Sequence, residues 1–310
     1  MDSVPFFFVR EVASLLQGSA ALQLEQLTSR LWANEAARHV RGKRQYSLIV
    51  VPPSLHDPDY RLLLSRQKST GLFQEYIKID DFDTFDVGKD VVWTNVLLRD
   101  HVPSRKEYVS RTSNVESFTK CLRRILGGRD CVQLDSGLGE KELMKCNLLA
   151  LLPRTFQSII FREMNREVEE FIIESMELQK VSQLSLKGSE VSKEFESFLH
   201  RMVASAQLSR MSIHIDSIGG FDFCVFESVL QRWMKDPVGF NSRGKLSLAV
   251  PVRFGKEKLE AYLKEVSVKE RCGEFHYERV HPLKTSEASV TFDTLLKNCF
   301  LIICRISTLN

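Results

Sequence analysis

Gln183-Leu184-Ser185-Leu186-Lys187 and Arg210-Met211-Ser212-Ile213-His214 decide how this chain is read. In each, apolar and polar residues alternate, so one set of side chains falls on one face of a strand and the other set on the opposite face. Between them Phe195, Phe198, Leu199 and Met202 recur at the three- and four-residue spacing of an amphipathic helix. Two strands joined through a helix have room to run parallel, which a short hairpin would forbid.

Outward from this unit the same alternation opens at Val132/Leu134, Ile159/Phe161, Leu246/Leu248, Phe275/Tyr277 and Phe300/Ile302. With Leu184 and Met211 included, the first residues of successive strands are 27, 25, 27, 35, 29 and 25 residues apart. Helical spacing recurs between them at Val168, Phe171 and Ile172; at Phe226, Val229, Leu230 and Trp233; and at Leu259, Tyr262, Leu263 and Val266. A strand–helix unit of this size cannot bury its apolar faces alone, so it stacks on its neighbours. A doubly wound sheet would show a similar alternation with a longer period. The expectation is an α/β chain whose residues 113–310 form a leucine-rich-repeat-like βα array with parallel strands. Leu184, Leu186, Met211 and Ile213 then face the helices. Ser185, Lys187, Ser212, His214 and Asp216 lie on the open face, the expected target-binding surface.

Upstream, residues 46–112 read as a mixed β segment. Tyr46–Val51 is apolar and β-branched and stops at Pro52-Pro53; Tyr60–Leu64, Tyr76–Ile79 and Val91–Leu98 are further strands. Asp80, Asp81, Asp83, Asp86 and Asp90 cluster between the last two, without the glycine and glutamate positions of an EF-hand loop, and read as a solvated loop. Residues 1–45 read as helices only: Phe8, Val12, Leu15 and Leu16 share one helical face, and Leu24, Leu27 and Leu31 repeat at helical spacing.

Composition bounds the partners. Among 310 residues, 43% are hydrophobic and 27% charged, with a formal net charge of +3. That is ordinary for a globular protein and too balanced for a nucleic-acid or membrane surface. The basic cluster Arg38, Arg41, Lys43 and Arg44 follows a helix-like run and suits its C-terminal dipole. Seven cysteines, an odd number with no CxxC pair, fit buried free thiols in a reducing compartment. The N-terminal apolar run is cut by Arg10 and Glu11, which does not suit a signal sequence, and no stretch reaches the length of a membrane span. A cytoplasmic or nuclear protein is expected.

Motifs for chemistry fail on their context. Gly239-Phe240-Asn241-Ser242-Arg243-Gly244-Lys245 matches part of a phosphate-binding loop, yet a helix precedes it and a strand follows it, the reverse of what phosphate binding needs. Leu246 also stands where the magnesium-binding hydroxyl belongs. Gly219-Gly220 has the better strand-to-helix context but no further glycine spacing, and reads as a turn. His214 and Asp216 share a strand face with no nucleophile in a recognisable motif nearby. No enzyme activity, cofactor or metal site is expected.

The first 40 residues resemble the F-box, the helical module that docks substrate receptors onto the Skp adaptor of cullin-RING ubiquitin ligases. Val4-Pro5 takes the place of the opening Leu-Pro; Val12, Leu15 and Leu16 fall on the first helix; Leu22, Leu24 and Leu27 on the second; and Trp32 closes the pattern. The opening Met-Asp-Ser-Val-Pro-Phe is similar to the F-box-like proteins expanded in nematodes, which carry βα arrays after the box. The resemblance implies that these nine residues bind a Skp adaptor, and through it a cullin complex, while the array holds a protein target of unknown identity. Two alternatives stay open: helices that only cap the array, and an interaction scaffold with no ubiquitin-ligase role.

Overall fold

The computed structural model describes residues 44–54, 57–67, 74–87, 91–102, 106–127, 130–139, 148–178, 181–205, 208–237, 245–269, 273–295 and 297–305. The chain is mixed α/β and divides into two compact units, Met1–Phe156 and Gln157–Asn310.

The first unit holds strands β1 (Arg44–Val51), β2 (Tyr60–Gln67), β3 (Gln74–Ile77), β4 (Val91–Leu98), β5 (Ser110–Thr112) and β6 (Asp130–Ser136), with helix α1 (Val115–Leu126). Their order is β6-β4-β1-β2-β3, with β5 also against β2. β1, β4 and β6 run parallel, whereas β2 is antiparallel to β1 and β3. β1 buries Tyr46, Leu48 and Val50, its alternate residues, and ends where two prolines remove the ladder donors. The expected strands Tyr46–Val51, Tyr60–Leu64 and Val91–Leu98 are thus present, and the one expected at Tyr76–Ile79 lies at Gln74–Ile77. β4 breaks strict alternation at Thr94-Asn95, both half-buried, because a bulge against β1 falls there. The Thr94 hydroxyl is turned to donate to the Tyr46 carbonyl at 2.9 Å.

Helix α1 starts where the Asn114 side chain accepts from the backbone N–H groups of Glu116 and Ser117, and Arg123 and Arg124 lie in its last turn. Its buried stripe, Phe118, Leu122 and Ile125, lies at helical spacing. Phe118 stacks on Tyr60 with ring centroids 4.3 Å apart, and the Ile125 carbonyl accepts the indole N–H of fully buried Trp93 at 2.9 Å.

The second unit is a run of strand–helix repeats that turns into a meander. β7 (Phe156–Phe161), β8 (Gln183–Gly188), β9 (Arg210–Ile215) and β10 (Lys245–Pro251) are joined through α2 (Arg166–Glu177), α3 (Lys193–Ser205) and α4 (Phe223–Lys235). These four strands are side by side and parallel, as expected from their spacing. After the short helix α5 (Glu257–Glu260) come β11 (Lys264–Lys269), β12 (Glu274–Val280), β13 (Ser286–Asp293) and β14 (Asn298–Arg305). The order is β7-β8-β9-β10-β14-β13-β12-β11.

Three expectations are corrected here. The strand at Phe275 is β12; it lies between β11 and β13, antiparallel to both, and does not neighbour β10. The strand at Phe300 is β14, antiparallel to β10 and β13. The helix read from Leu259 to Val266 is one turn, Glu257–Glu260, and Val266 sits in β11. A parallel repeat extending to residue 310 is therefore not what the chain builds: five residues separate β12 from β13, too few for a crossover. α1 and β6 fall in the first compact unit.

The repeats are tied by a buried carboxylate. Glu169 on α2, 6% exposed, accepts from the Ser192 backbone N–H at 2.7 Å and from its hydroxyl at 2.6 Å. Ser192 in turn caps α3, its hydroxyl oxygen accepting from the Phe195 N–H at 3.1 Å. Glu169 thus fixes the entry to the next helix. Glu169→Ala is expected to cost about 2 kcal/mol in urea unfolding, the range for hydrogen bonds to a charged group, and Glu169→Gln less, since its oxygen still accepts. An unchanged midpoint in Glu169→Ala would show that the clamp contributes nothing.

Candidate protein-interaction face

On β8, Leu184 and Leu186 are buried while Gln183 and Lys187 are exposed and Ser185 is half-buried. On β9, Met211, Ile213 and Ile215 are buried, Arg210 and His214 exposed and Ser212 half-buried. The helices cover the apolar side, so alternation alone leaves the other side to solvent. The register pairs Gln183 with Arg210, Ser185 with Ser212 and Lys187 with His214, which gathers four of the five expected target-binding residues on one face of adjacent strands. Asp216 differs: β9 ends at Ile215, and exposed Asp216 belongs to the following turn, its N–H donating to the Gly188 carbonyl at 3.1 Å. His214 and Asp216 are therefore not an on-strand pair. The polar partner of His214 is Ser212, with Oγ 3.2 Å from Nε2.

The face extends further than those positions. β10 continues it with Ser247 opposite Arg210 and Ala249 opposite Ser212. On β14, Ile302 lies opposite Ser247 and Phe300 opposite Ala249, while Cys299, Leu301 and Ile303 are buried on the helix side. Phe300 is 40% exposed and Ile302 half-buried. Charge is divided along the same face. None of the parallel strands β7 to β10 contains Asp or Glu, and the exposed Lys187 and Arg210 side chains make no ion pair among the described residues. β12 and β13 hold Glu274, Glu278, Glu287 and Asp293.

Polar, glycine and cysteine positions outside this face have structural roles. The carboxylate of Asp81 accepts from the Thr84 hydroxyl at 2.7 Å and the Asp83 N–H at 2.9 Å. The Thr84 bond first, then the Asp83 N–H, hold its carboxyl below the usual range, so the acidic loop organises its own turn. Gly220 has φ +106, and an added Cβ would sit 2.6 Å from the Val252 carbonyl carbon, which explains the glycine without a ligand. Arg99 and Asp135 form a bidentate ion pair, with Nη2 2.8 Å from Oδ2 and Nη1 3.3 Å from Oδ1. Burial pushes the Cys121 thiol up to about 11 and Cys299 higher still, so neither is an activated nucleophile.

Val4, Pro5, Val12, Leu15, Leu16, Leu22, Leu24, Leu27 and Trp32 lie outside the described residues, as does Gly239–Gly244 of the phosphate-loop-like string. Among the described residues no group of three or more His, Cys, Asp or Glu is placed to hold a metal ion, and no helix is long and apolar enough to cross a membrane. Comparison with protein-family models, with curated proteins and with solved structures found no match.

Proposed function

We propose that the chain is a non-catalytic substrate receptor of an SCF-type cullin-RING ubiquitin ligase. In this reading its N-terminal F-box-like helices bind a Skp adaptor through the nine residues from Val4 to Trp32 named above. The leucine-rich-repeat-like portion, β7 to β10 with their helices, presents its open strand face to a protein target. The chain acts in the cytoplasm or nucleus and needs no cofactor. One observation carries the target-binding half: four parallel strands without Asp or Glu, with Lys187, Arg210 and His214 of β8 and β9 exposed among the described residues beside small polar ones. A broad, rigid strand surface of this kind serves recognition, because its outward positions vary without disturbing the core.

The adaptor half is tested by affinity capture. Tagged full-length chain incubated with a eukaryotic lysate is expected to recover a Skp adaptor and a cullin, detected by mass spectrometry. Leu16→Asp combined with Leu27→Asp is expected to reduce adaptor recovery at least ten-fold, since unpaired charge in a desolvated apolar contact is costly. The doubly substituted chain should keep its circular dichroism. Recovery of other proteins without adaptor or cullin would leave an interaction scaffold and remove the ubiquitin-ligase reading.

A further inference from the structure

The open face has an internal order that names the chemistry of its occupant. Arg210, Ser247 and Ile302 lie opposite one another on β9, β10 and β14, forming one transverse row. The row continues through Ser289 on β13 to Glu278 on β12. It therefore runs from an exposed cation, across Ser247, to an apolar patch of Ile302 and the neighbouring Phe300, and ends beyond Ser289 at an exposed carboxylate. Strands lie about 4.8 Å apart, so Arg210 and Ile302, two strands apart, are separated by roughly 10 Å. A peptide in the extended polyproline II conformation advances about 3.1 Å per residue and completes a turn in three, so residues i and i+3 point to the same side and span about 9 Å.

We infer that this face takes a segment of a protein partner in the extended polyproline II conformation, in which an Asp or Glu, seated on Arg210, is three residues from a large apolar side chain seated on Ile302 and Phe300. Lys187, opposite His214 on the neighbouring strand, adds positive potential at the acidic end. A charge-assisted bond from Arg210 fixes the register, and burial of the apolar side chain supplies the larger part of the affinity. A single-stranded nucleic acid fits less well. It would bring successive phosphates across the row towards exposed Glu278, whereas a peptide with one acid at the Arg210 end avoids that repulsion.

This inference rests on reading the open face as the target surface, and its test is independent of the adaptor. A library of random dodecapeptides displayed on phage is selected on the immobilised full-length chain. Peptides with an acidic residue three positions from Leu, Ile, Phe or Met are expected to be enriched at least ten-fold over the unselected library. Arg210 is exposed, so Arg210→Glu should fold normally and shift the selected residue from Asp/Glu to Lys/Arg. Phe300→Ser combined with Ile302→Ser should remove the apolar preference and keep the acidic one. Absence of enrichment, enrichment unaltered by Arg210→Glu, or tighter binding of oligouridylate than of the selected peptides would overturn the inference. A chain that recovers the Skp adaptor but selects no such peptide keeps the receptor reading and loses this one; the opposite result loses the ubiquitin link and keeps the peptide site.

Discussion

Leu186→Asp is expected to unfold the second unit under conditions where the parent chain is folded. Leu186 is fully buried on β8, between Phe161 of β7 and Ile213 of β9, on the face covered by helices. Truncating a leucine in such a place costs about 2–5 kcal/mol through lost transfer energy and the cavity left behind. A carboxylate there has no cationic partner, because the strands pack apolar side chains on that side, and the penalty adds several kcal/mol or protonates the group. Against a total stability of about 5–15 kcal/mol the sum is decisive. Lys187→Ala, one residue on and on the opposite face, should change stability by no more than about 0.5 kcal/mol. Urea unfolding followed by circular dichroism compares the two. Equal losses, or a larger one for Lys187→Ala, would mean that the faces of β8 are reversed.

The two faces of β8 and β9 were legible because their alternation is clean: each apolar residue has a polar neighbour on both sides. β14 was not legible for the opposite reason. Cys299, Phe300, Leu301, Ile302 and Ile303 are all apolar, so composition does not say which set faces the helices. The pair that seemed to mark the strand, Phe300/Ile302, is the outward one, and the apolar end of the proposed peptide site was missed with it. Strand direction was hidden too, since parallel and antiparallel strands alternate alike. A signal was nevertheless present. His281-Pro282-Leu283-Lys284-Thr285 is too short and too turn-like for a crossover helix, and Ala288, Val290 and Phe292 after it alternate as a strand of their own. The spacing of Leu259, Tyr262, Leu263 and Val266 fits a helix, yet after one helical turn the segment pairs with β12, and tertiary pairing overrode the local pattern. The basic end of the site could have been found by asking where Asp and Glu are missing, because Arg210 stands in an alternating strand with no acid near it in sequence.

Beside the β10–β14 ladder, the buried side chain of Trp233 joins the parallel repeats to the meander. This fully buried side chain on α4 donates its indole N–H to the hydroxyl of fully buried Ser286, the first residue of β13, at 2.9 Å. Its ring meets the edge of His281 with centroids 5.3 Å apart and planes at 69°. His281, itself buried, accepts the Leu283 N–H at Nδ1, so its proton is on Nε2 and is given to the Met234 carbonyl at 3.1 Å. The β12–β13 turn is thereby bound to the end of the helix that follows the parallel strand β9. Trp233→Phe removes the larger ring and leaves the Ser286 hydroxyl buried without its donor; the expected loss is about 3 kcal/mol, cavity and unpaired oxygen together. Ser286→Ala alone leaves the indole N–H unpaired at a cost of about 1–2 kcal/mol. In the double variant neither polar group is stranded, so the combined loss should fall short of additivity by about 1 kcal/mol. Urea midpoints for the four proteins close the cycle. Strict additivity would show that the indole and hydroxyl are not bonded, and that the Trp233 side chain acts there by shape alone.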